Sequence, residues 1–199
     1  MKSPSSKPKT IEPDFLLMAY VNGYFPMAKP KSGAIQWYSP DPRAIFELTE
    51  FHIPRSLSLT IKKKQFEIEI DREFETVMRR CAERDETWIS EGLLQSYLEL
   101  HRLGFAHSVE CWREKKLVGG LYGVSIAGAF FGESMFSIER NASKVALVHL
   151  VDRLKERKYE LLDTQFLTPH LARFGAKEVP RTVYLMRLEQ ALNKKCVFA

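Results

Sequence analysis

A chain of 199 residues, 45% hydrophobic and 28% charged, has enough apolar material for one sizeable core, and its length excludes an array of full domains. The formal charge of +5, from 30 basic and 25 acidic residues, excludes an acidic polypeptide and suits a polyanionic partner without requiring one. Cys81, Cys111 and Cys196 lie far apart, with no CxxC pair and no Cys/His cluster, so no zinc site or disulfide framework is expected.

The first ten residues, MKSPSSKPKT, have no apolar stretch and read as a disordered tail rather than a signal peptide. Together with the odd cysteine number, this makes a cytoplasmic location the expectation. Pro13 to Tyr24 carries apolar residues at helical spacing, with Pro13 suited to a first turn and Gly23 to a stop. Phe25 to Pro42 contains Pro26, Pro30, Pro40 and Pro42 and predicts mostly loop. Gln65 to Asp71 alternates apolar and charged residues, as a strand with one wet face does. Arg72 to Cys81 and Glu91 to Leu103 have helical periodicity, the second ending at Gly104.

Three short strands follow, at His107 to Trp112, Leu117 to Val124 and Ala129 to Met135, with a hairpin turn near Ser125 to Gly128. The uncharged run Leu117 to Gly132 is too short and too rich in glycine for a membrane span, so no membrane partner is expected. Ser143 to Lys158 is the strongest helix, capped by Asn141 or Ser143. A buried strand at Leu161 to Phe166 comes next, then a short helix opened by Thr168 and Pro169, then a final helix over Arg181 to Leu192. Strand, strand, strand, long helix, strand is the order of an α+β (α/β-like) fold with a GNAT-like acyltransferase core and a mixed sheet, although order alone does not separate it from other mixed folds. The expected organisation is a tail over 1–10, a small N-terminal subdomain over 11–60, and a catalytic body over 61–199.

Asp163 and Gln165 interrupt the apolar strand LLDTQF two residues apart, a spacing that places both on one strand face. An unpaired carboxylate among apolar neighbours costs several kcal/mol, so Asp163 needs a partner, and the residues leave open whether its role is structural or chemical. Glu133, in GESMFS, ends an apolar strand, where a surface salt bridge is the simpler account. Trp37, Tyr38, Trp88, Tyr97 and Trp112 offer flat faces for base stacking, or serve the core. Lys62 to Lys64 with Arg79 and Arg80 can meet phosphates, or simply face water. No GxSxG, GxxxxGK[ST], HExxH or GxGxxG motif is present. The segment IERNASK stands where a CoA-binding core carries a glycine-rich pyrophosphate cradle, which argues against a CoA donor.

A run of collinear blocks resembles the leucyl/phenylalanyl-tRNA–protein transferases: GYFPMA from Gly23, WYSPDPRAI from Trp37, TWI from Thr87, YLELHRLGFAHSVECW from Tyr97, LVGGLYGV from Leu117, FFGESMFS from Phe130, ASKVAL from Ala142, LLDTQ from Leu161, and HLARFGA from His170. The resemblance implies an aminoacyltransferase that takes Leu or Phe from Leu-tRNA or Phe-tRNA, without metal or CoA. The acceptor would be the α-amine of proteins beginning with Arg or Lys, marked thereby for degradation (N-degron pathway). By motif, Asp163 and Gln165 match the family's catalytic pair and Glu133 its active-site acid. Trp88 and Tyr97 match aromatic positions for the tRNA 3′ adenosine. Leu121 and Phe130 are expected in the amino-acid pocket, with Trp37 and Ser137 as further substrate-binding positions. Two readings compete: a peptidoglycan-type aminoacyltransferase, which usually needs two such domains, and a catalytically silent RNA-binding module.

Overall fold

The structure is a computed structural model that describes residues 9–30, 32–84 and 86–199. The expected tail lies almost wholly outside the described residues. In chain order the elements are α1 (Pro13–Val21), β1 (Phe25–Ala28), β2 (Ile35–Tyr38), β3 (Arg43–Phe46), α2 (Arg55–Lys62), β4 (Glu67–Ile70), α3 (Phe74–Ala82), α4 (Glu91–Arg102), β5 (Ala106–Arg113), β6 (Lys116–Ile126), β7 (Ala129–Ser137), α5 (Ala142–Glu156), β8 (Leu161–Gln165), α6 (Pro169–Ala172), β9 (Lys177–Val179) and α7 (Arg181–Leu192).

The local signals act where they were read. Pro13 opens α1, and Gly23 leaves that helix with φ +79°, a conformation open to glycine at no steric cost. Gly104, also at φ +79°, ends α4 in the same way. Ser90 and Thr168 cap α4 and α6, their side chains accepting the amides of Leu93 and Leu171. Asn141 precedes α5 in the left-handed region but makes no side-chain cap bond. Ser137 Oγ meets one of the free amides instead, accepting Ser143 N–H at 3.2 Å.

Seven strands form one mixed sheet in the order β4-β5-β6-β7-β8-β3-β9. Neighbours are antiparallel except β7 and β8, which run parallel and are therefore joined by a crossover through α5. The apolar residues divide into two clusters of buried side chains. One brings α1, α3, α4 and α7 against β6 and β7; the other brings α2 and α5 against β5, β6 and β8. Helices thus cover both faces, so strands such as β5 are buried along almost their whole length rather than alternating. At Gly119 the fold needs the absence of a side chain: a methyl group there would run into Ala142 and stand 3.1 Å from Ser143 N, so this glycine sets how closely α5 approaches β6.

The segment expected to be loop, Phe25 to Pro42, forms the two-stranded sheet β1-β2. Pro26 is tolerated because a two-stranded ribbon has an open edge toward which a residue without N–H can face. β3 falls within the segment 11–60 expected to stand apart, yet it runs inside the main sheet between β8 and β9. β9 and α2 complete the elements that periodicity did not indicate.

Candidate functional site

β7 and β8 pair only from Ala129–Leu161 to Phe131–Asp163. Beyond that point β7 continues to Ser137, while β8 ends at Gln165, whose φ of +61° turns the chain away. Between the diverging strands lies a cavity of about 260 Å³. Leu121, Met135, Leu147, Leu150 and Leu162 line it, with Met27 and Trp88 toward one side. Its polar wall is built by Glu133, Gln165 and Thr168, and Arg84 stands at the rim, donating to Met135 O at 2.5 Å. Among the described residues, the two buried side-chain polar atoms without a partner are Tyr122 Oη and His170 Nε2, and both side chains belong to this lining. An apolar hollow with a few convergent polar groups is the form a small-ligand site takes.

Gln165 Nε2 donates to Glu133 Oε1 at 3.0 Å, which leaves the amide oxygen free to accept from a ligand. Behind Glu133 stand two phenols: Tyr20 donates to Oε1 at 2.7 Å, Tyr97 donates to Oε2 at 3.2 Å, and the phenol oxygens lie 2.5 Å apart. With both phenol protons on Glu133, the 2.5 Å Tyr20–Tyr97 contact has none. A protonated Glu133 that donates from Oε2 to Tyr97 lets Tyr97 donate to Tyr20 and Tyr20 to Oε1, so that all three contacts are filled. The electrostatics agree. Burial raises the Glu133 pKa, the Tyr20 and Tyr97 bonds pull it back, and nearby Asp163 raises it again, for a value of about 7. Burial and the Glu133 charge hold both phenols well above their ordinary range, so they remain protonated donors.

Asp163 has no exposed surface. Arg43 grips it at two points, Nε to Oδ1 at 2.9 Å and Nη2 to Oδ2 at 2.6 Å. Tyr184 donates to Oδ2 at 2.8 Å and the backbone N–H of Gln165 to Oδ1 at 2.9 Å. Burial opposes the Arg43 charge, but the Asp163 carboxylate outweighs it and lifts the arginine pKa further. The Arg43 guanidinium also lies between two rings, 4.7 Å from Phe25 and 4.6 Å from Tyr184. The expectation that Asp163 and Gln165 face one space therefore holds only for Gln165. Asp163 acts behind it, on the backbone that places the amide.

The other expected residues divide in the same way. Trp88 and Leu121 line the cavity. Tyr97 is sealed behind Glu133 with no surface on which a base could stack. Phe130 lies on the same face as Leu121 and Leu162 but is fully buried deeper in that cluster, against Phe198 at 5.1 Å, and does not reach the cavity lining. Trp37 sits on β2, edge-on to Phe15 at 5.5 Å. Ser137 serves the start of α5 rather than the cavity. Arg79 and Arg80 are engaged by Glu75, Glu91 and Glu83. Trp112 donates to the buried Glu110 at 2.9 Å. Cys81 and Cys111 are pushed by burial up to about 12, so neither is a nucleophile.

Arg43, Tyr20 and Tyr184 were not among the expected site residues. The need for a partner to Asp163 was readable, but its identity was not, since Arg43 is 120 positions away.

Comparison with known proteins accounts for nearly the whole chain. A model of the leucyl/phenylalanyl-tRNA protein transferase family matches residues 45–189, and a model of its N-terminal domain matches residues 9–41. A leucyl/phenylalanyl-tRNA–protein transferase of Gloeobacter violaceus is 51% identical over 189 residues, covering 95% of this chain and 98% of that protein. One from Herpetosiphon aurantiacus is 52% identical, covering 96% and 99%. Among solved structures, L-PGS from Bacillus licheniformis aligns over 82% of this chain and 56% of its own at 17% identity, with a TM-score of 0.43, too weak a likeness to bear on the site. The chain belongs to the leucyl/phenylalanyl-tRNA–protein transferase family.

Proposed function

We propose that this chain transfers Leu or Phe from its tRNA to the N-terminal α-amine of proteins beginning with Arg or Lys. The observation that carries the reading is the cavity itself: an apolar hollow of about 260 Å³ whose polar wall presents the Gln165 amide beside a carboxyl titrating near neutrality. Leu121, Leu147 and Leu162 receive a leucyl or phenylalanyl side chain and exclude a charged one, since an unpaired charge there costs several kcal/mol.

The donor ester is already activated, so alignment is the main task. Gln165 Oε1 accepts a hydrogen from the incoming amine, whose nitrogen attacks the ester carbonyl carbon. Glu133 in its ionised form takes the proton released as the C–N bond forms, and returns it to the ribose oxygen as the C–O ester bond breaks. Tyr20 and Tyr97 hold Glu133 in place. Asp163, gripped by Arg43 and Tyr184, holds the turn at Gln165 and touches no substrate.

The core is GNAT-like on this reading. Support comes from the hairpin β6-β7, the helix α5 and the parallel strand β8, with the cavity in the opening between β7 and β8. No described helix is long and apolar enough to cross a membrane. We place the reaction in the cytosol, the compartment of charged tRNA, which suits three free cysteines.

The test is transfer from Leu-tRNA and Phe-tRNA to peptides that differ only in the first residue. Transfer to Arg- and Lys-leading peptides is expected. Transfer to none of them, or equal transfer from Val-tRNA and Lys-tRNA, overturns the reading.

A further inference from the structure

A second hollow, of about 610 Å³, opens at the N-terminal end of α5 and is polar where the first is apolar. Arg113, Arg140, Lys144 and Arg173 stand on its walls, against a single carboxylate, Glu139. Arg113 is spent on Glu139, its Nη1 lying 2.8 Å from Oε2. Arg140, Lys144 and Arg173 enter no ion pair among the described residues, unlike Arg79 and Arg80, which carboxylates neutralise.

This cleft adjoins the cavity along two separate elements. On α5, Lys144 faces the cleft while Leu147, three residues on and about 4.5 Å further along the axis, faces the cavity. At α6, His170 lines the cavity and Arg173 lines the cleft. The ridge between the two openings is therefore about one helical turn wide, a distance a nucleotide chain with one phosphate per roughly 3.4 Å of strand crosses in a step or two. The positive potential is felt across that ridge: after burial, Lys144 and then Arg173 hold the pKa of His170 below its ordinary value.

We propose that the cleft walled by Arg140, Lys144 and Arg173 holds backbone phosphates of the tRNA whose aminoacyl end lies in the cavity. The proposal rests on the donor being a tRNA, as argued above, and adds where its polyanionic strand leaves the apolar hollow. An apolar cavity recognises the amino acid, and an unneutralised cation cluster one turn away retains the carrier.

The test compares the unsubstituted chain, the triple variant Arg140→Gln/Lys144→Gln/Arg173→Gln, and a control of equal charge at the other end of α5, Lys155→Gln/Arg157→Gln/Lys158→Gln. Two readouts are taken: the Kd for Phe-tRNA as a function of salt, and transfer from 3′-O-phenylalanyl-adenosine, which carries no backbone phosphate. The cleft variant is expected to weaken tRNA binding by about tenfold or more, with a salt slope shallower by about two units, as for three lost phosphate contacts. Transfer from the adenosine donor is expected to stay within twofold of the unsubstituted chain, and the control to bind tRNA normally. Unchanged tRNA binding in the cleft variant overturns the proposal. So does equal weakening in the control, which would make net charge the cause, or a matching loss with the adenosine donor, which would make the cleft residues mere supports of the cavity wall. Should the unsubstituted chain transfer from neither donor, the functional reading fails, while the binding comparison still decides the cleft.

Discussion

Arg43 and Asp163, 120 residues apart in sequence, form a two-point ion pair with 1% and 0% of their side chains exposed, at the root of the turn that presents Gln165. Such a pair does not stabilise a fold as well as a good apolar contact does, because desolvation consumes most of the attraction. Its value here is positional. The carboxylate meets two guanidinium N–H groups, a phenol and the Gln165 amide at once, and so fixes the residue that faces the cavity.

Removing one partner of this pair strands a buried charge. Asp163→Ala is expected to lower stability by about 3–5 kcal/mol, read from denaturant midpoints, and to abolish transfer. Replacing both, as Arg43→Met with Asp163→Leu, should restore most of the stability while transfer stays low. A double variant that transfers normally would remove the positioning role from Asp163.

Glu133 links stability to pH. Its folded-state pKa is raised to about 7, so between about 4.5 and about 7 the folded chain holds a proton that the unfolded chain has lost. Stability therefore falls as pH rises through that window, by about 3 kcal/mol in all, and is level above it. Denaturation midpoints at pH 5 and pH 8 should differ accordingly, and Glu133→Gln should erase this part of the difference.

The same group sets the rate. With Glu133 as the proton acceptor, kcat/KM rises with pH through about 7 before the acceptor amine's own titration adds to the increase. In Glu133→Gln the lower limb is expected to disappear and the plateau rate to drop about a hundredfold or more. A pH profile unchanged by the substitution would assign the proton to another group.

Gln165 can be separated from the fold. Gln165→Ala should leave the melting temperature nearly unchanged, because the φ of +61° is imposed on either side chain alike, while single-turnover transfer falls about a hundredfold for want of alignment. Leu121→Phe tests the hollow: the larger side chain fills it, and Phe transfer should fall about tenfold more than Leu transfer. Equal effects on the two donors would place the donor side chain elsewhere.

Gly119→Ala examines the packing that carries the site. A methyl group there meets Ala142 and the backbone of α5, so a loss of about 1–3 kcal/mol is expected in thermal or denaturant unfolding.

Elements with a strong local period were legible before any tertiary information. α7 runs over Arg181–Leu192 as the apolar spacing indicates, and the β6-β7 hairpin turns at Ala127 and Gly128 within the glycine-bearing segment read as a turn. β3 and β9 were not legible. Each is three or four residues long, fewer than an alternation needs to declare itself, and β3 is buried at every position. β1 hid behind Pro26, a residue that counts against a strand unless an unpaired edge is available.

The chemistry divides along the same line. Sequence by itself determined that a carboxylate and an amide lie two positions apart in an apolar ribbon, that the carboxylate needs a partner, and, through its collinear motifs, which family the chain resembles. These are properties of neighbouring residues, and chain-local periodicity and burial cost suffice to state them. Only the tertiary structure decided that Arg43 is the partner, that Tyr97 and Phe130 are sealed from the cavity, and that Glu133 rather than Asp163 faces it. Those outcomes depend on long-range strand pairing and on where β7 and β8 part, and no local pattern encodes the distance between residues that only folding brings together.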